Sequence, residues 1–568
     1  MTDPTANEHH RPQPGEEAAT LYGRAGTVTF FTLLSRVLGM TRDLVIAHRF
    51  GASGQTDAWV QAFRIPNALR RLTAEGSMTI AFVPSFVKVR SEHGGEAARL
   101  FAQRVLGMVL AVTLLLTGLG MFFSGALTGV FSPGFIGDAE RFGLTRSLLF
   151  WTFPYLVLVS LVAWAMGVLN SEGRFAAPAA APIFLNIGII AAVLGFSGMF
   201  ASPIMAIAGG VLAGGVAQVF LQMPSLAMAG ALRAPRMGWG DPAMRHFLGL
   251  LLPSLAGVAV YEVNIIALGM IASYLPEGQI FHYNNATRLA ELVMGLFAFA
   301  FTTAGLPTLS EQFTRRRWEA MANTIRLTFS ATLYVILPAA VGLALAGEGI
   351  VSMLYLHGAF FYADVRSTAA ALTLLALGAP AVAMVRVMLP VYYAMGDART
   401  PVPVALLTVG VTAALGWWLS QRFQVSGLTA GLSLGTWFQC ALLALLLRPK
   451  LRRLGPCFPW GATARQAGTA LAMGLWVYFF HRLGQWELGP ASLFNWLILC
   501  CIVAGGAGLY FLLTLSLKEP QAANWLALAR RLLAKSTAKP AKPTKPAKTA
   551  VADPPPGNNG GNNRGNDG

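Results

Sequence analysis

Apolar residues run along most of this chain in long blocks, separated by short clusters rich in Gly, Pro, Arg and Asp. A helix crossing hydrocarbon needs about 20 mostly apolar residues. Fourteen segments satisfy that pattern: 25–47, 57–87, 99–130, 143–169, 176–197, 203–229, 246–274, 280–310, 320–346, 367–395, 400–419, 425–447, 464–481 and 493–516. Strands of a membrane barrel are about ten residues long and alternate apolar with polar, so a barrel is excluded. The pattern predicts an all-α polytopic membrane protein of 14 transmembrane helices.

Composition agrees: 55% of the 568 residues are apolar and 12% charged, against about 25% charged in soluble chains. Lys and Arg in short loops set orientation. Fifteen lie in loops on the N-terminal side, from Lys88 and Arg90 to Arg452 and Arg453; five (Arg49, Arg141, Arg366, Arg422 and Arg482) lie opposite. That bias predicts cytoplasmic termini. The net charge of +17 then reports mostly topology and a basic tail, with no nucleic-acid partner implied. The first 20 residues lack the apolar core of a cleavable signal, so the first span itself directs insertion. Four cysteines, Cys440, Cys457, Cys500 and Cys501, form neither a disulfide framework nor a metal spacing.

An internal repeat emerges at an offset of 223. "AFVPSF" (Ala81 to Phe86) matches "AGLPTL" (Ala304 to Leu309), and 307 − 84 = 223. Gly173 and Pro178 of "EGRFAAP" fall on Gly396 and Pro401 of "MGDARTP" at the same offset, and Glu96-Ala97 on Glu319-Ala320. Six spans per copy return the chain to the same side, so the copies are parallel repeats, an architecture of transporters with a site between two bundles. The expected organisation is a cytoplasmic segment (1–24), an N-lobe (25–232), an inter-lobe loop (233–245), a C-lobe (246–450), and two appended spans (451–518). An amphipathic juxtamembrane helix (519–535) and a disordered tail (536–568) follow.

Charges inside the spans demand explanation, because a mid-bilayer arginine costs roughly 2.5–3.5 kcal/mol on insertion scales. Helical geometry of 100° per residue puts Asp57, Arg64, Arg71 and Glu75 on one face of the second span, and Arg36 with Asp43 on one face of the first. Arg42 and Arg70 lie beside them, while Arg288 and Glu291 are on the eighth span and Glu262 on the seventh. Three readings stand: snorkelling to an interface, internal ion pairs such as Arg36 with Asp43 or Arg71 with Glu75, and a hydrated cationic cavity for an anion. Guanidinium stays charged and grips phosphate oxygens two at a time. A cavity therefore fits a phosphate or pyrophosphate headgroup better than an amine, sugar or metal cation.

The stretches "SRVLGMTRD", "TDAWVQAFRIPNALRRLTAEGSMTIAFVP" and "YNNATRLAELVMGLFAFAFTTAGLPTLSEQF" resemble the MurJ (MviN) family of lipid II flippases, within the multidrug/oligosaccharidyl-lipid/polysaccharide exporter superfamily. The resemblance covers about residues 25–520. It implies a V-shaped cavity between two six-helix lobes and a lipid-facing groove on the last two spans for a polyprenyl tail. It further implies transfer of undecaprenyl-pyrophosphate-linked disaccharide-pentapeptide to the periplasmic leaflet for peptidoglycan synthesis. By motif, the family's functional arginines fall on Arg36, Arg42, Arg288 and the Arg70-Arg71 pair, with an ungapped count favouring Arg70. Thr287 stands where the family has an acid before Arg288, which leaves Glu291 or Glu262 as the expected partner. "PVPVALLTVGVTAALGWWL" has neither the Asn nor the Asp of the sodium site described in some relatives.

The substrate-binding set is thus Arg36, Arg42, Arg64, Arg70, Arg71 and Arg288, with Asp43, Asp57, Glu75, Glu262 and Glu291 as cavity acids. No nucleotide loop, nucleophile–base pair or metal cluster is visible, so no enzyme chemistry and no cofactor is expected. Partners are lipid II, membrane lipids and cell-wall synthesis proteins. A flippase for another polyprenyl-pyrophosphate oligosaccharide, a cation-coupled drug exporter and a membrane scaffold are the alternatives. Six intramembrane arginines argue against the exporter.

Overall fold

A computed structural model describes residues 14–73, 77–238, 240–452, 455 and 457–537. Seventeen α-helices account for the regular structure among them, apart from short 3-10 and π turns. They are α1 (Pro14–Phe50), α2 (Gly54–Thr73), α3 (Ser77–Phe122), α4 (Ser124–Phe131), α5 (Ala139–Thr152), α6 (Tyr155–Ser171), α7 (Ala176–Phe196), α8 (Ala206–Met228) and α9 (Pro242–Ala272). The series continues with α10 (Gln279–Thr314), α11 (Trp318–Tyr355), α12 (Tyr362–Ala394), α13 (Pro401–Leu447), α14 (Trp460–Leu483), α15 (Leu493–Cys500), α16 (Gly506–Ser516) and α17 (Pro520–Thr537). Hydrocarbon offers backbone groups no water, so helices that bond internally are the form such apolar runs must take. Eight helical stretches are long and apolar enough to cross a membrane, and the protein is an all-helical polytopic membrane protein.

The chain divides into two units, residues 1–517 and 518–568. In the second, the described residues form α17 and its lead-in; the expected tail at 536–568 lies almost wholly outside the described residues. In the first, several boundaries depart from the apolar pattern. α1 begins at Pro14 rather than residue 25, because proline is well suited to a first helical turn, where its missing N–H would be unbonded anyway. The 143–169 segment is α5 plus α6, interrupted at Phe153-Pro154, where proline withholds an N–H from the ladder. The 57–87 segment is α2 and the start of α3, with residues 74–76 outside the described set.

α13 contains a reversal at Gln424, whose φ is 49°. Its two limbs fold back on each other: Gly431 lies against the Gly416 backbone, Gly427 against Leu419 and Gly435 against Thr412. α7 and α8 meet the same way through Gly188, Gly210 and Gly214. Small residues let helix backbones approach where hydrocarbon offers no hydrophobic drive for association. α6 and α12 each end in a left-handed glycine, Gly173 (φ 73°) and Gly396 (φ 74°), as helix C-termini favour. After Gly396, Asp397 accepts from the Arg399 and Thr400 amides and pairs with Lys450. The Lys450 ammonium pulls its carboxyl down to about 2.

α7 packs on α8 and α1, α3 on α6, and α11 and α10 on α12. α3 also packs on α9, and α2 on both α9 and α10. Phe82 and Phe101 of α3 meet Phe247 of α9 with ring centroids 6.4 and 6.1 Å apart, all three fully buried. At the end of the unit where α1 stops, the crossings are made by backbone. The Ala359 amide donates to the His48 carbonyl at 2.9 Å, and the Gly134 amide to Ser273 Oγ at 2.9 Å. Gly51 adopts φ 61°, and a Cβ there would sit 2.2 Å from the Ala359 carbonyl oxygen.

Candidate functional site

The charged face read from α2 is the face that meets the second half. Residues 57, 64 and 71 are seven apart, so they stack along one line of the helix. Asp57, fully buried, accepts from the Gly278 amide at 2.7 Å and the Phe281 amide at 2.9 Å. It thereby supplies an anion to the N-terminus of α10, where unpaired N–H groups and the helix dipole favour one. Two turns on, Arg64 lies directly over Gly269 of α9, while Gln61 Nε2 donates to the Gly269 carbonyl at 2.9 Å. Arg64 Nη1 is buried with no hydrogen-bond partner. Two turns further, Arg71 Nη1 meets Glu262 Oε1 at 3.3 Å, and Glu262 is buried. α2 and α9 therefore run antiparallel with a polar seam between them.

A second crossing joins α1 to α10. Asp43 Oδ1 accepts from Arg42 Nε at 2.9 Å and Nη2 at 2.7 Å. Its other oxygen faces Arg288 Nε of α10 at 3.8 Å. Arg42 Nη1 also donates to Asn186 Oδ1 of α7 at 3.1 Å, and Asn186 Nδ2 donates back to the Ser35 carbonyl at 3.2 Å. Two guanidinium groups thus share one carboxylate. Arg288 remains 42% exposed while Asp43 is 9% exposed at the side chain.

Two pairings expected from the sequence are corrected. Arg36 does not pair with Asp43; it is exposed and makes no ion pair among the described residues. Seven residues span about 10 Å of helix axis, whereas Arg42 is adjacent and folds onto the carboxylate. Arg288 takes Asp43 as its partner, not Glu291 or Glu262: α10 turns Arg288 toward α1, Glu262 is engaged by Arg71, and Glu291 is exposed. Arg70 Nε donates to Asn67 Oδ1 of its own helix at 3.0 Å. Glu75 lies outside the described residues.

Sequence reasoning misses Asn186, the lone amide in the apolar run "PIFLNIGII", and Gln61 between Asp57 and Arg64 on α2. A buried amide must bond to something, which was the available signal. Arg386 was missed as well: it interrupts the apolar run of α12 and is exposed in the structure. Asn285 of α10 is fully buried with neither amide atom paired. Among the described residues no group of three or more His, Cys, Asp or Glu could hold a metal ion.

The sequence profile of the "Lipid II flippase MurJ" family matches residues 46–498. A protein of Haemophilus influenzae described as "Probable lipid II flippase MurJ" is 31% identical over 506 residues, covering 85% of this chain and 98% of its own. The protein of Vibrio cholerae serotype O1 with the same description is 32% identical over 423 residues, covering 73% and 81%. Among solved structures, "Lipid II flippase MurJ, inward closed conformation" superposes with a TM-score of 0.71 at 25% identity, covering 86% of this chain and 97% of that one. An inward-facing multidrug resistance MATE family transporter of the MOP superfamily superposes at 0.62 with 12% identity, covering 76% and 98%, a likeness of fold alone. With more than three quarters of its length inside the family profile and its helices matching over most of the chain, this protein belongs to the lipid II flippase MurJ family.

Proposed function

We propose that this chain moves lipid II across a bacterial inner membrane by alternating access, with Arg42, Arg288, Arg36 and Arg70 neutralising the pyrophosphate. Family membership makes it a multi-pass membrane transporter and not an enzyme. The observation that carries the mechanism is the Arg42–Asp43–Arg288 node: two cations share one anion across the two halves, leaving a surplus positive charge with Arg288 accessible. A phosphate arriving there supplies the missing anion. At about 4 Å and an effective dielectric of ~20 such a contact gives roughly 4 kcal/mol before desolvation. Because α1 and α10 each contribute, the bound diphosphate draws the halves together. Release then requires them to part on the other side.

The reading extends to fourteen spans in two parallel six-helix repeats with two appended. The matching left-handed glycines at 173 and 396 and the glycine-packed hairpins α7–α8 and α13 support it. The Lys/Arg bias places both termini in the cytoplasm. The headgroup enters from that side while the polyprenyl tail stays in lipid. α17, with Trp525, Leu526, Leu532 and Leu533 among basic residues, lies along anionic lipid, and cell-wall synthesis proteins are its neighbours. Membrane potential, at about 2.3 kcal/mol per charge per 100 mV, resets the positively charged empty cavity.

The test is a leaflet-resolved lipid II translocation assay in flippase-depleted cells complemented by this chain. Restored flipping is expected, with Arg42→Ala and Arg288→Ala failing. Restored growth by either variant at normal expression sinks the arginine mechanism, and failure of the parent chain sinks the substrate. The same node grips any polyprenyl pyrophosphate. An oligosaccharide-flippase reading gains if this chain rescues a strain lacking that activity and not the depleted one.

A further inference from the structure

A second cluster of polar groups lies where α11 ends, α12 begins and α14 turns toward α15. A cavity of about 480 Å³ opens there, lined by Glu348, Tyr362, His481, Arg482, Trp486 and Glu487 among others. Its floor is fixed by buried polar groups. Asn495, fully buried, accepts from the Gln485 amide at 2.9 Å and donates to the Gln485 and Gly489 carbonyls at 2.7 and 3.2 Å. Ser352 Oγ donates to the Trp486 carbonyl. The Trp486 indole donates to the His481 carbonyl at 2.9 Å and stacks on the His481 ring, centroids 5.2 Å apart.

The groups held on that floor are unequal in hydrogen-bonding capacity. Glu348 accepts from the Tyr362 hydroxyl at 2.5 Å, and its other oxygen faces His481 Nε2 at 3.5 Å. An Nε2–H pointing at Glu348 leaves His481 Nδ1 as a bare acceptor, and Nδ1 is buried without a partner. Glu487 stands exposed at the rim. Acceptors therefore dominate on one side. On the other, Arg482 Nε donates to the Tyr478 hydroxyl at 3.1 Å, and its terminal nitrogens make no further hydrogen bond among the described residues. Running away from Arg482 along α14, Leu471, Leu475, Phe479 and Leu483 are four residues apart and all exposed, at 65, 73, 61 and 45%. That is one unpartnered apolar stripe beneath a head-sized cavity.

We propose that this cavity holds the headgroup of a phospholipid bearing a primary amine. Its ammonium bonds to Glu348 and Glu487, its phosphate to Arg482, and its acyl chains lie along the α14 stripe. The carboxylates answer the ammonium in sign, and the guanidinium answers the phosphate. A quaternary ammonium has no N–H to offer those acceptors, and a glycerol headgroup offers no positive charge.

The test uses the purified full chain in nanodiscs of equimolar phosphatidylethanolamine, phosphatidylcholine and phosphatidylglycerol, with co-purifying lipid counted by native mass spectrometry. Wild-type protein retains phosphatidylethanolamine about fivefold over each of the others, an effect the size of one well-made exposed charge pair. Glu348→Gln and Glu487→Gln abolish the preference, while Arg482→Gln lowers retention of all phosphate-bearing lipids. Size-exclusion and thermal unfolding profiles establish that each variant is folded. Equal retention by the wild type, or a preference that survives both glutamate variants, overturns the proposal. Displacement of nothing by lipid but saturable binding of soluble phosphoethanolamine overturns the lipid as occupant.

Discussion

The two inter-half crossings use the same residue types to opposite ends. Along α2 and α9, each described anion has a committed partner: Asp57 takes two buried amides, and Glu262 takes Arg71. At α1 and α10, one carboxylate serves two guanidinium groups, one of them 42% exposed. The first is a seam whose described anions are both engaged, with Arg64 laid over Gly269. The second is short by one anion and open to solvent. An ionised group that is satisfied holds elements in register, whereas one left under-satisfied but wet is available to a ligand.

Substitutions at five residues probe that contrast. The largest effect is expected at the open crossing: Arg42→Ala or Arg288→Ala lowers lipid II flux about a hundredfold, since each removes a charge-assisted contact to the phosphate worth roughly 1.5–3 kcal/mol. Lysine at either position restores only part of the flux, having no bidentate fork. Full activity in the lysine variants breaks the case for phosphate geometry. Next is Asp57→Ala, which strands two buried amides at about 1–3 kcal/mol each. Thermal unfolding in detergent drops markedly, while flux per folded molecule falls far less than for Arg288→Ala. A smaller, severalfold loss of flux is expected for Glu262→Gln, whose amide oxygen still accepts from Arg71 but no longer balances its charge. A collapse as deep as that of Arg42→Ala would erase the distinction between the crossings. Least affected is Glu291→Gln, expected within about twofold of the parent because the exposed carboxylate contacts no described cation.

Much of this was legible in the chain. Seven-residue spacing predicted that Asp57, Arg64 and Arg71 share a face, and that face is the one laid against α9 and α10. Periodicity within one helix is local and survives folding. Partner choice is not local. The sequence points Arg36 at Asp43 by spacing, yet adjacency on α1 and the approach of α10 decide the pairing in favour of Arg42 and Arg288. Asn186 illustrates the same limit: its spacing on α7 gives no hint that it bonds Arg42 on α1, 144 residues away. A phosphate grip is proposed for the arginines from their chemistry and the resemblance of their motifs, and the geometry adds that Arg42 and Arg288 share one carboxylate.

Near the end of α1 three peptide amides make the crossings, Ala359 to the His48 carbonyl, Gly134 to Ser273 Oγ and Gly278 to the Asp57 carboxylate, with Gly51 pressed on a carbonyl. Peptide groups cannot be left dry and unbonded. Separating these contacts therefore means letting water replace each one, so any parting of the helices here is a wetting event, sensitive to osmotic stress in a way that a clasp of greasy side chains is not.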